Sequence, residues 1–257
     1  MVSVDDRHWW YRGRRLVIQS QVRRLALPPQ ARLLDAGCGS GRMLDELERF
    51  GSVSGIDSSS WSVAAARNRG HADVILGSVE RMPYPDRWFD LVTCLDVLEH
   101  TPDDVLTLTE LGRVTRPGGH LLVTVPAYQA LWSAHDEANH HYRRYRRRRL
   151  LEVGNEAGWE LVRASYFNSL LLLPAAVVRL ARRGRGDPTH SELSFTPPWL
   201  DPVLTLPLRI ESAFMRIGGR LPAGLSVLAL FRRPDVAQAI PIRPDTRELD
   251  LEAALAV

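Results

Sequence analysis

Two groups of side chains in this 257-residue chain have the types and spacing to do chemistry. The first is built on carboxylates and glycines. Asp35 precedes the run Gly37-Cys38-Gly39-Ser40-Gly41, and Asp57 follows eighteen residues after Gly39. Glycines let a backbone turn tightly and approach a ligand closely. The pattern is G-x-G-x-G, not the G-x-G-x-x-G of dinucleotide-binding turns. A carboxylate at 35 would repel a pyrophosphate but attract an ammonium group, and one at 57 can accept both hydroxyls of a ribose. The second group holds candidate general bases: His135, Asp136, His140 and His141, with His100 as a rival. A metal site from His135, Asp136, His140 and His141 is conceivable by ligand type. Its spacing matches no known ligand pattern, so no metal is expected.

These positions need a scaffold that gathers them. Residues 31–35 read as a short apolar strand feeding the glycine turn, and 42–50 as the helix it opens, with Leu44 and Leu47 inward. Further strands are expected over 53–56, 73–76, 89–95, 120–125, 159–166 and 225–231, and helices over 63–69 and 150–157. Thr101 reads as an N-cap, with Pro102 at the first helical position and Asp104 three residues on. An N-terminal helix over 7–26 stops at Pro28-Pro29. Strands alternating with helices predict the α/β class: a doubly wound, mostly parallel, seven-stranded Rossmann-like sheet with its crevice at the carboxyl ends of the strands.

The order of the motifs sharpens this. A strand runs into Leu33-Leu34-Asp35-Ala36-Gly37-Cys38-Gly39-Ser40-Gly41, and Asp57 ends the second strand. Gly77-Ser78-Val79-Glu80-Arg81-Met82-Pro83-Tyr84-Pro85-Asp86, Phe89-Asp90-Leu91-Val92, Asp96-Val97-Leu98-Glu99-His100 and Arg116-Pro117-Gly118-Gly119-His120-Leu121 follow. Over about residues 31–126 the chain resembles the class I S-adenosylmethionine-dependent methyltransferases, in their small-molecule, type 11-like branch. That resemblance implies S-adenosylmethionine as cofactor and S-adenosylhomocysteine as product. It implies Asp35, Gly37, Cys38 and Gly39 at the methionine end, Asp57 and Ser58 at the ribose, Ser78 and Val79 at the adenine, and Leu95 and Asp96 beside the sulfonium. Ser78 departs from the acid usual there; its hydroxyl can still accept a hydrogen bond. The block from His135-Asp136 to Arg144-Tyr145, and Arg7-His8-Trp9-Trp10-Tyr11-Arg12, resemble substrate-side and lid elements of a bacterial branch. Trp9, Trp10, Tyr11, Arg144 and Tyr145 are therefore the expected acceptor contacts. Adjacent tryptophans cannot both face the core from one helix, which leaves one for a ligand or lid.

The implied activity is methyl transfer to a small-molecule acceptor, to oxygen in preference to nitrogen or carbon. The alternatives are a nucleic-acid methyltransferase and a non-catalytic binder of the same cofactor. Support for nucleic acid is confined to Arg146–Arg149; Leu95-Asp96-Val97-Leu98 stands where a base-reading tetrapeptide would be. None is expected as a partner. The formal net charge is +3, and every basic residue is arginine. The arginine run of residues 143–149, broken by Tyr145, could hold a phosphate or carboxylate bidentately. Two cysteines, Cys38 and Cys94, suggest neither a disulfide framework nor zinc, and a reducing cytoplasm is the natural compartment. The first residues lack the apolar core of a leader, and the longest apolar run, Leu170 to Val178, is too short to span a bilayer. The expected organisation is an N-terminal helix and lid (1–30), a cofactor-binding region (31–167), a helical insertion (168–222), a last strand (223–234) and a loosely ordered tail (235–257). Two short helices are expected in the insertion, as a pocket cap or as a peripheral membrane surface receiving an apolar or lipid-linked acceptor. Monomer and dimer both remain open.

Overall fold

The structure is a computed structural model that describes residues 9–174, 177 and 200–235. Its elements run α1 (Trp9–Val22), β1 (Ala31–Ala36), α2 (Leu44–Leu47), β2 (Gly51–Asp57), α3 (Ser60–Asn68), β3 (Val74–Leu76) and β4 (Phe89–Leu95). A 3-10 turn at Leu98–His100 leads to α4 (Asp104–Val114) and β5 (Thr115–Pro126). After a second 3-10 turn at Gln129–Leu131 come α5 (Ala134–Ala138), α6 (Arg147–Glu156), β6 (Glu160–Phe167), α7 (Asp201–Arg216) and β7 (Ser226–Arg232). The seven strands form one sheet in the order β3-β2-β1-β4-β5-β7-β6. The pairs among β1 to β5 are parallel, and β7 lies antiparallel between β5 and β6. The chain thus has the α/β, doubly wound, mostly parallel sheet expected of it.

β4 is buried at every residue, as a strand covered on both faces must be, and its run Phe-Asp-Leu-Val-Thr-Cys-Leu is apolar apart from two side chains. One face of the sheet packs Leu34, Val92, Leu121 and Val123 against Leu108 and Leu111 of α4 and Leu150 and Val153 of α6. The other packs Leu33, Leu91, Leu122 and Leu228 against Val17, Ile18 and Val22 of α1 and Leu208 and Met215 of α7. Each such side chain contributes roughly 1.5–3 kcal/mol on full burial. The crossing of α1 and α7 is close: a Cβ on Gly13 would sit 2.2 Å from Leu208 Cδ1. The inner half of α1 is therefore a fixed layer of the fold, not a lid, and α7 covers the sheet beside it.

Several boundaries differ from expectation, each for a local reason. β2 begins at Gly51, paired with Ala31, which leaves α2 a single turn instead of a helix over 42–50. The cap of α4 is Asp103, whose carboxylate accepts the Leu106 amide at 2.9 Å, not Thr101. Thr101 Oγ1 instead donates to the Leu98 carbonyl and closes the 3-10 turn. β5 starts at Thr115, because Phe89 pairs with Thr115 before a register shift brings Leu91 opposite His120. α6 starts at Arg147, its exposed arginines forming the first turn. In the insertion, residues 201–216 make one sixteen-residue helix where a short one was expected, and of the expected helix over 170–180 residues 175, 176 and 178–180 lie outside the described residues. The expected tail over 235–257 lies outside them too, apart from Asp235.

Candidate active site

The carboxyl ends of β1, β2 and β4 open on one side of the sheet, and the glycine turn leaves β1 there. Gly37 has φ +82°, and a Cβ on it would meet Val97 Cγ2 at 2.3 Å, so no other residue fits. The amides of Gly37, Cys38, Gly39 and Gly41 are spent internally. Gly37 and Cys38 both donate to the Ile56 carbonyl, at 2.8 and 3.1 Å, and Gly41 donates to the Cys38 carbonyl. Gly39 donates to Asp57 Oδ2 at 2.8 Å. A phosphate-binding turn keeps such amides for its anion; this one offers carboxylates and carbonyls instead. Asp57 Oδ1 accepts the Ser59 amide at 2.9 Å, which fixes the carboxylate while each oxygen keeps a second lone pair. Space for a Cβ is open at Gly39.

Asp35 lies behind the turn at 2% exposure and accepts Thr93 Oγ1 at 2.6 Å. Burial pushes its carboxyl up to about 7, against the opposing pull of Thr93 and Arg14. A cationic group placed against it would restore the carboxylate. These residues fit the methionine and ribose ends of S-adenosylmethionine: hydrogen-bond acceptors for an ammonium and two hydroxyls, beside a turn whose Gly37, Cys38, Gly39 and Gly41 amides are already bonded. On the adenine side Val79 and Met82 are buried. Ser78 is exposed, and its oxygen accepts the Glu80 amide at 3.1 Å, so the hydroxyl closes its own turn before it serves a ligand.

At the end of β4, Asp96 takes φ +54°. Its Oδ2 pairs with Arg14 Nη1 at 2.9 Å and its Oδ1 accepts Thr124 Oγ1 at 3.1 Å. Arg14 also donates to the Leu95 carbonyl at 2.8 Å, tying α1 to the mouth of the crevice. Three residues on, Glu99 is 1% exposed. Burial and the neighbouring Asp96 carboxylate push its carboxyl well above the ordinary range. Arg14 and Glu99 are the site residues that sequence reasoning passed over. Glu99 stood within a quoted motif, but nothing in the sequence showed its burial.

His100 and His141, distant in sequence, meet edge to face with ring centroids 4.5 Å apart. Burial and His141 lower the His100 pKa, which keeps its imidazole neutral at physiological pH. His141 Nδ1 lies 2.9 Å from Asp136 Oδ1. Asp136 in turn accepts Arg144 Nε at 2.7 Å and Nη2 at 2.8 Å. Burial alone would raise the Asp136 carboxyl, but His141 and Arg144 hold it well below the usual carboxylate range. It orients His141 and is no general base. His135 stands 6.3 Å from His141, ring to ring, and His140 is exposed.

The acceptor contacts expected of Arg144 and Tyr145 are corrected. Arg144 is buried in its pair with Asp136, and Tyr145 is wholly buried in the core with its hydroxyl on Asp104 at 3.1 Å. Neither tryptophan projects away from the fold. Trp9 packs on the α1 face of the core, and Trp10 stacks on Phe167 at 6.4 Å. Tyr11 is half-buried, and Arg7 and His8 lie outside the described residues. A cleft lies elsewhere, between α1 and α7, lined by Arg12, Arg15, Arg209 and Arg216.

Residues 34–123 match the family model described as a methyltransferase domain. A Mycolicibacterium smegmatis protein named a probable S-adenosylmethionine-dependent methyltransferase is 32% identical over 126 residues, 48% of each chain. The ubiquinone biosynthesis O-methyltransferase of Xanthomonas oryzae is 36% identical over 101 residues, 37% of this chain and 42% of that one. The matches thus span about half or less of these relatives. In fold, a chain of a Haloferax volcanii complex between the Trm112 methyltransferase activator and a methyltransferase superposes with a TM-score of 0.61. It is 20% identical, over 92% of this chain and 94% of that one.

Proposed function

We propose that the chain, whose residues 34–123 match a methyltransferase domain, transfers a methyl group from S-adenosylmethionine to a hydroxyl of a small, partly apolar acceptor, leaving S-adenosylhomocysteine. The observation that carries the cofactor is the glycine turn, whose amides are spent on Ile56, Cys38 and Asp57 while the buried Asp35 lies behind it. Bound there, the cofactor supplies a methyl carbon already activated by a sulfonium. Asp35 holds the ammonium, Asp57 the ribose hydroxyls, and the wall around Val79 the adenine. The protein's task is to set the acceptor oxygen about 3 Å from that carbon and to exclude water.

Oxygen is favoured because a hydroxyl needs help to lose its proton, and His100 and His141 are the groups that give it. The name of the Xanthomonas relative points the same way. An apolar acceptor, and peripheral contact with a membrane that holds it, are supported by α7. Val203, Leu206, Ile210 and Phe214 stand exposed along it, with Ile217 just beyond. No described helix is long and apolar enough to cross a membrane.

Calorimetric titration with S-adenosylmethionine and S-adenosylhomocysteine, with NAD as control, tests the cofactor. Micromolar binding of the first two alone is expected; binding of NAD in their place overturns the reading. Transfer of labelled methyl to a panel of phenols, alcohols, amines and activated carbon acids tests the atom, and exclusive labelling of amines would discard the hydroxyl.

A further inference from the structure

We propose that Glu99, His100 and His141 form a binding site for one divalent transition-metal cation, of which zinc fits best, at the acceptor end of the crevice. One oxygen or nitrogen from each lies within 4.8 Å of the others. Three ligands each about 2.1 Å from one cation stand roughly 3.4–3.6 Å apart. The cluster closes around an ion when its side chains draw in by about an ångström, and His100, the exposed member, is the one best able to move.

Two observations independent of the cluster point to a ligand. Glu99 Oε2 is buried and has no hydrogen-bond partner. A buried polar oxygen left so carries a desolvation cost that a cation bound there would offset. His141 is also held as metal-binding imidazoles are. Its Nδ1 faces Asp136 at 2.9 Å, which leaves Nε2 for an ion, and Asp136 is fixed in turn by Arg144. A ligating histidine almost always directs its other nitrogen to a carboxylate, carbonyl or water. Two imidazoles and a carboxylate suit zinc or a neighbouring first-row ion better than magnesium or calcium. The backbone holds the two halves of the cluster in register, since the Tyr142 amide donates to the Glu99 carbonyl at 2.8 Å. By ligand type the sequence offered a different set, His135, Asp136, His140 and His141, from which no metal was expected; only His141 of that set belongs here.

Three protein ligands leave a zinc ion an open position. An acceptor hydroxyl bound there loses its proton to water more readily. Its oxygen then bonds to the methyl carbon as the carbon–sulfur bond breaks, and that electron pair stays on sulfur. In this scheme the imidazoles of His100 and His141 are ligands, and the bound ion takes over from them the task of easing the loss of the hydroxyl proton. The role in transfer rests on the methyltransferase reading; the site itself does not.

The test uses the full chain, stripped with a chelator and titrated calorimetrically with zinc, manganese and magnesium chlorides. One zinc per chain is expected, with magnesium far weaker. Cobalt should give visible d–d absorption of a low-symmetry site. Glu99→Gln and His141→Ala should each weaken zinc at least a hundredfold, and Asp136→Asn ten- to a hundredfold. His140→Ala, an exposed neighbour, should leave zinc affinity unchanged, and circular dichroism melts check that each variant folds. No zinc uptake by the wild type overturns the proposal, as does wild-type affinity in folded Glu99→Gln and His141→Ala. Titration of the same stripped protein with S-adenosylhomocysteine separates the two readings. Cofactor binding without zinc removes only the metal site, and zinc binding without cofactor removes only the methyltransferase reading.

Discussion

Asp35 carries the most unusual single-residue chemistry in the crevice. Its folded pKa of about 7 stands above the ordinary aspartate value of 3.8 because burial penalises the charge. Between those two values the folded chain binds a proton that the unfolded chain releases. The ligand-free protein therefore loses stability from this group as pH rises from about 4 to 7. An ammonium ligand needs the carboxylate, so binding follows the opposite slope. Affinity for S-adenosylhomocysteine should rise about tenfold per unit as pH approaches 7 from below and level off above it. Calorimetry between pH 5.5 and 8.5 reads this directly, and a flat dissociation constant would remove Asp35 from the ammonium site. Asp35→Asn should leave the free protein at pH 8 at least as stable in urea, since a buried charge is gone. It should weaken the cofactor about ten- to a hundredfold, the range of a charge-assisted hydrogen bond.

At the scale of elements, α5 is five residues long and too short to hold shape by itself. It is held by one buried ion pair, Asp136 with Arg144, and by Ser133, whose amide donates to Asp136 Oδ2 at 2.8 Å. Removing one partner of such a pair typically costs about 3–5 kcal/mol, because the other charge stays buried. Arg144→Leu should therefore destabilise the chain by about that much in urea melts, and Asp136→Leu in the same background should recover part of the loss. The native pair's contribution is present at neutral pH and fades as pH falls below the ordinary carboxylate range, because the Asp136 pKa is depressed. A loss under 1 kcal/mol in Arg144→Leu would mean that the segment is fixed by other contacts. The same pair shows where the sequence could be read and where it could not. The strand, glycine turn and second strand carrying Asp35 and Asp57 are local patterns, so their placement was legible from spacing. Arg144 and Tyr145 sit in an equally local basic and aromatic run, yet both turn inward to partners at 136 and 104. The role of Glu99 depends on its burial, and that depends on the whole sheet closing over it. The internal pairing of Gly13 with Leu208, nearly two hundred residues away, was likewise beyond any window of sequence.

For the molecule as a whole, a ligand at the strand ends should bind only the native sheet, because Asp35, Asp57 and Val79 reach one crevice only when β1, β2 and β3 are paired in register. Binding then stabilises the entire fold. At one hundred times its dissociation constant, S-adenosylhomocysteine adds about 2.7 kcal/mol. In a domain of this size each kcal/mol moves the midpoint by about 2–4 °C. A thermal melt should therefore rise by about 5–10 °C. The same concentration should give almost no shift in Asp57→Ala, whose ligand-free melt should stay within a few degrees of the parent. Asp57 bridges the Gly39 and Ser59 amides at the surface of the turn and does not pack in the core. This comparison separates a ligand-binding carboxylate from a structural one. If Asp57→Ala melts far below the parent without ligand, its two amide contacts hold β1 to β2, and its part in the ribose site must be tested with Asp57→Asn. If both proteins shift equally with ligand, the ribose is held elsewhere and the crevice has been assigned to the wrong strand end.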